Sequence, residues 1–231
     1  MLTQLTIYFS ILGIGVVFLV VLYFMLRKSA ENFPGTWKKA LSLTKFRTGV
    51  LSLMIYFLGV LVSELITTYL GYQGIYNSFV ISIGFTVYTP FLLGFLFIYT
   101  QTAWKRYSYI LLYLILVGYL IIGGYFHPDY VLPYSSSLLF SCIYFLAALI
   151  HLTDLLMNPA SEHFRFQLKI NISILIYNIL SSITTSFYWA ATDFKLPPPE
   201  LVFDINIYIT IFYYFALDLI FVQKILKLRR I

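Results

Sequence analysis

Charge is scarce in this chain. Only 10% of its 231 residues are Asp, Glu, Lys or Arg, whereas soluble domains carry about a quarter. So few charges cannot coat a soluble surface of this size, and a soluble globular fold is excluded. Cysteine is scarcer still. The single thiol, Cys142, lies in an apolar segment and supports neither an intrachain disulfide nor a multi-cysteine metal site.

Catalytic chemistry is missing in the same way. The three histidines, His127, His151 and His163, are scattered. No HExxH pair exists for a membrane metalloprotease, and too few histidines fall inside apolar runs for a bis-haem bundle. The last apolar run, "LVFDINIYITIFYYFALDLIFVQ", has no internal lysine for a retinal Schiff base. There is no GxSxG elbow and no phosphate-gripping glycine loop. The proline–glutamine pairs and the repeat of seven-helix sugar transporters are absent. No enzyme is expected, and no catalytic, cofactor-binding or metal-ligating residue.

What is present is apolar. Hydrophobic residues make up 61% of the chain and aromatic ones 20%, and mean hydropathy is +0.88. A spanning helix needs roughly 20 mostly apolar residues. Seven stretches qualify, near 3–26, 48–70, 76–100, 107–126, 134–157, 168–191 and 201–223. The expected fold is an all-α integral membrane protein, a single domain of seven transmembrane helices over residues 1–231. The first run, "LTIYFSILGIGVVFLVVLYFML", has no basic leader and ends in Arg27 and Lys28, so it reads as a span and not as a cleavable signal. Turn chemistry separates the runs at "GYQG", "HPDYVLP", "MNPASEH" and "LPPPE".

The basic residues alternate by loop. Fourteen of the 15 lysines and arginines follow runs 1, 3, 5 and 7, and Lys195 alone lies on the other side. Short Lys/Arg-rich loops stay in the cytoplasm. The N-terminus is therefore expected outside and the basic tail, 224–231, inside. The net charge of +6 is thereby read as orientation, and nucleic-acid binding is not expected. Within the basic loop 27–47, "TWKKALSLTKFR" sets Trp37, Leu41 and Phe46 against lysines, with Thr36 as N-cap. This predicts an interfacial helix on anionic lipid, with a partner-docking helix as the alternative.

Polar residues inside the spans are the candidate sites, because an acid at a helix centre costs about 2.5–3.5 kcal/mol. His151 and Asp154 share a face on run 5, at i and i+3. Asn171 on run 6 and Asp218 on run 7 lie at similar depth, and Tyr214 and Asp218 pair at i, i+4. His151, Asp154, Asn171 and Asp218 form a candidate inner polar cluster. Three readings stand: interhelical glue, Asp154 snorkelling toward Arg165 or Lys169, or a proton- or ion-coupled switch through His151. Polar stripes are expected on run 5 (Ser137, Ser141, Tyr144, Ala148, His151) and on run 6 (Asn171, Asn178, Ser182, Thr185). On the outer side Glu64, Thr68, Tyr188, Asp204 and Asn206 form a candidate outer pocket, which Pro90 would help to open by kinking run 3. An ordinary aromatic belt is the alternative there.

The segments "SIGFTVYTPFLLGFLFIYTQTAWKRYSYILL", "FRFQLKINISILIYNIL" and "NIYITIFYYFALDLIFVQKILKLRR" resemble helices 3 to 7 of bacterial seven-helix sensor regions, the kind that precede histidine kinases or other output modules. The resemblance is one of pattern and carries no functional residue across. It implies a non-enzymatic, receptor-like module in a bacterial inner membrane. Because the chain ends at Ile231 without an output module, the expected partners are the lipid bilayer and a separate signalling protein or membrane complex. A structural subunit of a larger complex and a proton-coupled transporter are the alternatives.

Overall fold

The architecture comes from a computed structural model, which describes residues 2–31, 37–73, 78–126, 133–159, 163–194 and 199–229. Side chains are described for 6–28, 43–70, 72–73, 83–122, 138–159, 163–187, 201–202 and 204–228. Seven helices occur and no strand among the described residues: α1 (Leu2–Glu31), α2 (Trp37–Tyr72), α3 (Ser78–Tyr99), α4 (Ala103–Phe126), α5 (Pro133–Met157), α6 (Phe164–Phe194) and α7 (Pro199–Arg229). Six are long and apolar enough to cross a membrane, and in α3 the apolar stretch is Ile83–Tyr99. Each helix coincides with one of the expected runs. The reason is energetic: in hydrocarbon every backbone polar group must be satisfied within its own segment, and a helix does this.

Helix neighbours close a ring. α1 packs on α2, α2 on α3, α3 on α5, α5 on α6, α6 on α7, and α7 back on α1. α4 stands outside this ring, against α3 and α5. It buries Tyr109 and Leu116 and turns Tyr107, Leu111, Leu114 and Ile115 outward. The ring interior is filled by aromatic and aliphatic side chains, among them Leu12, Leu19, Phe57, Phe95 and Phe221. Around it, exposed side chains such as Leu58, Val62, Leu65 and Ile66 make a surface compatible with lipid.

One local feature departs from expectation. Residues 37–47 form no separate surface helix, since α2 runs unbroken from Trp37 to Tyr72. Phe46 is wholly buried, stacked on His163 with ring centroids 3.9 Å apart, and the Tyr99 hydroxyl donates to the Phe46 carbonyl at 3.2 Å. Gly49 permits that approach, because a Cβ there would lie 2.5 Å from the Tyr99 oxygen. Thr36 lies outside the described residues.

Pro90 is accommodated within α3. A proline has no N–H for the carbonyl four residues back, which is that of Thr86. The Tyr113 hydroxyl of α4 donates to that carbonyl at 3.4 Å. One residue on, the Ser52 hydroxyl of α2 donates to the Phe91 carbonyl at 2.6 Å.

Candidate functional site: a pinned turn and a tyrosine-lined interior

The end of the bundle rich in Lys and Arg holds a short turn, residues 100–102, between α3 and α4. Asp154 of α5 faces it. Its carboxylate accepts from the Gln101 amide at 2.8 Å, the Thr102 amide at 3.4 Å and the Thr102 hydroxyl at 2.6 Å. The first amides of a helix have no partner within it and carry a partial positive charge. Asp154 therefore caps α4 from a different helix. Lys105, one turn into α4, is buried beside it at 3.7 Å and donates to Thr153 at 3.0 Å. Arg106 donates to the Thr100 carbonyl at 2.6 Å and so closes the end of α3.

His151, one turn before Asp154, is wholly buried and meets the same turn. Its Nδ1 lies 3.3 Å from the Thr100 hydroxyl, which also contacts the Tyr109 hydroxyl at 2.9 Å and donates to the Leu96 carbonyl at 2.9 Å. A threonine hydroxyl has one proton and two lone pairs. With that proton on Leu96, Tyr109 and Nδ1 must both donate, which places a hydrogen on Nδ1. Nε2 has no partner among the described residues.

The four inner residues of the sequence analysis are thus split. His151 and Asp154 act together on the α3–α4 turn. Asn171 of α6 donates to the Ala148 carbonyl of α5 at 2.9 Å, which ties α5 to α6. Asp218 stands apart, facing α1 and α2: a Cβ on Gly15 would lie 2.5 Å from its Oδ1 and 2.9 Å from the Phe57 ring. That oxygen is buried without a hydrogen-bond partner among the described residues. No hydrogen bond joins His151 and Asp218 among the described residues, and His151 meets the Thr100 hydroxyl instead. Asp154 does not snorkel either; it is buried, Lys169 donates instead to Gln223 at 2.6 Å, and Arg165 is exposed. On α5 the expected stripe is buried at Ser141, Tyr144, Ala148 and His151. On α6 it shifts by one residue: Ser181 and Thr184 are buried with Asn171 and Asn178, whereas Ser182 and Thr185 are half-buried.

The middle of the ring is lined with tyrosines, most of which the sequence reading did not single out. Tyr8 of α1 lies 6.0 Å from Tyr214 of α7, ring centroid to centroid, and Tyr213 lies 4.9 Å from Tyr214 and 4.2 Å from Tyr177 of α6. Tyr56 of α2 packs edge-on against Tyr88 of α3 at 5.5 Å. Tyr144 of α5 and Thr89 of α3 share a hydrogen bond of 2.6 Å. The available signal was phase: Tyr56, Val60 and Glu64 recur at spacings of four, which sets them on one helix face.

Glu64 continues that buried face toward the end opposite the basic one. It lies six residues before Leu70, or about 9 Å along the axis. It shares that face with Tyr56 and Val60, which are buried in the core. It nevertheless keeps part of its surface accessible. Of the other expected outer residues, Asn206 accepts from the Thr184 hydroxyl at 2.9 Å, and Thr68 and Asp204 are half-buried. The Tyr188 side chain lies outside the described residues. No group of three potential metal ligands occurs among the described residues.

No family model, curated protein or solved structure matches this chain.

Proposed function

We propose that this protein is a non-enzymatic, receptor-like membrane module. In this reading all seven helices span, the N-terminus is outside, and the basic end faces the cytoplasm of a bacterial cell. A small molecule enters from outside and engages Glu64 and the tyrosines, and the signal passes to a separate protein at the basic end. One observation carries the reading: Glu64 lies within the α2 span on the face that buries Tyr56 and Val60, and it keeps accessible surface. No hydrogen bond or ion pair to that carboxylate occurs among the described residues, and small-molecule sites combine aromatic walls with a few placed polar groups. The pinned α3–α4 turn supplies a stiff element at the opposite end.

Gentle extraction from native membranes tests this. A stoichiometric partner with a kinase or regulator domain should co-purify with the full chain. Recovery of the chain alone, or only with subunits of an unrelated membrane complex, refutes it.

A second reading, proton-coupled transport, is favoured by Asp218, a buried acid with an unpartnered oxygen ten residues from the end of the α7 span. Buried membrane acids commonly mark proton pathways. Proton flux into liposomes that is lost in Asp218→Asn would favour this reading over the first.

A further inference from the structure

An apolar groove of about 580 Å³ lies against α6 and α7. Ser173, Ile176 and Leu180 line it from α6, and Phe212, Phe215 and Ala216 from α7. Most of these side chains are exposed, and all lie within the apolar spans Phe164–Phe187 and Asp204–Leu228. The groove therefore opens sideways, where lipid would lie. Toward the basic end it meets a foot of cations. Lys169 stands one turn before Ser173 on the same face of α6, and the Ser173 hydroxyl donates to its carbonyl at 2.9 Å. The Lys169 ammonium donates to Gln223 of α7 at 2.6 Å, about two turns past Ala216, so the two helices are joined directly below the groove. Arg165 lies one turn beyond Lys169, and Lys227 one turn beyond Gln223. All three cations are exposed, and no carboxylate is paired with them among the described residues.

We infer that this groove seats one anionic phospholipid, with an acyl chain along the groove and the phosphate at Arg165, Lys169 and Lys227. No charged side chain lines the groove, so hydrocarbon suits it. Basic residues between spanning helices at a membrane surface take anionic headgroups, and charge-assisted bonds to phosphate are strong. The two parts are also spaced for one molecule. From Lys169 to Leu180 the helix rises about 17 Å, close to half of the roughly 30 Å hydrocarbon core. A free anion would use only the foot, and a small apolar molecule only the groove. A zwitterionic lipid brings its own cation toward three others and gains less. Such a site is independent of Glu64 and of the receptor-like reading.

The probes are palmitoyl-oleoyl-phosphatidylglycerol and the phosphatidylcholine with the same chains. The full chain, reconstituted in an equal mixture of the two and released gently, is weighed intact by mass spectrometry. It should retain one phosphatidylglycerol, favoured about tenfold or more over phosphatidylcholine. The triple variant Arg165→Gln, Lys169→Gln, Lys227→Gln should lose most of that preference. A control triple variant at the same end, Lys28→Gln, Lys45→Gln, Arg47→Gln, removes equal charge and should keep it. Ala216→Phe, which fills the groove but leaves every cation, should lower retention of the lipid, and Lys169→Gln alone should weaken it should the triple variant fail to fold. Millimolar inorganic phosphate should not displace it. Equal retention of the two lipids overturns the proposal, as does an equal loss in the control, which would mean diffuse attraction. Unchanged retention in Ala216→Phe, or displacement by phosphate, overturns it by leaving only an ion at the foot. A lipid-free dimer would overturn it by placing a second copy over the groove.

Discussion

The Asp154 carboxylate of α5 accepts the Thr102 hydroxyl at 2.6 Å, and so one side chain both fastens the α3–α4 turn and neutralises buried Lys105 of α4. Removing one member of a buried ion pair strands the other, at about 3–5 kcal/mol. Asp154→Ala should therefore lower the melting temperature in detergent sharply. Lys105→Met should cost less, because the carboxylate keeps its amide and hydroxyl donors. Equal melting temperatures for wild type and Asp154→Ala would refute the pinned turn.

Gly15 of α1 lies close against Asp218 of α7. A methyl group at Gly15 would overlap both the Asp218 carboxylate and the Phe57 ring, and overpacking of this kind costs about 1–3 kcal/mol. Gly15→Ala should lower thermal stability, and adding Asp218→Ala should recover part of the loss by making room. A double-mutant cycle with no coupling would separate the two residues. Asp218→Asn alone should leave stability nearly unchanged, since its unpartnered oxygen makes no hydrogen bond to lose.

Much of the fold was legible in the sequence, because a run of some 20 apolar residues is the strongest signal a chain can carry. Faces were legible too: the i, i+3 spacing of His151 and Asp154 placed them together, and both are buried. Their partners were not legible. Periodicity sets which way a residue points on its helix but not which helix stands opposite. The ring order brings the turn 100–102 to α5 and sends Asp218 toward α1 and α2. Residues 37–47 misled for a similar reason. A basic amphipathic stretch reads alike whether it lies on a membrane or stands as the foot of a span, and the long-range stacking of Phe46 on His163 decides between them. The interior tyrosines were hidden by their own abundance, because 21 tyrosines suit interfacial belts as well as a core.

His163, at the basic end, should make stability depend on pH. It is stacked on Phe46, and its Nδ1 lies 3.2 Å from the Lys224 ammonium, which donates to it. Burial first, then the charges of Lys224 and Lys227, lower its pKa from 6.5 to about 4. The unfolded chain therefore binds a proton between those values that the folded chain does not. The linkage relation makes stability rise with pH there, and fall as pH drops from about 6.5 toward 4. Glu64 and Asp218 add their own titrations, so the informative quantity is a difference. Wild type minus His163→Gln should show the loss on acidification, roughly 1–2 kcal/mol after screening. Parallel melting curves for the two proteins across pH 4 to 7 would refute it.

Orientation can be read chemically, because Cys142 is the only native thiol. In a Cys142→Ala background, cysteines at Gln73 and Arg165 report opposite ends of the bundle, and both positions are exposed. If the basic end is cytoplasmic, a membrane-impermeant maleimide added to intact cells should label Gln73→Cys and spare Arg165→Cys until the cells are opened. The reverse pattern would invert the molecule and move Glu64 to the cytoplasmic side. Labelling of both in intact cells would mean that the two ends share one side, which an odd number of spans between them forbids. Three helices, α3 to α5, separate the two positions, so the same pair also tests whether α3, whose apolar stretch among the described residues is Ile83–Tyr99, crosses the membrane.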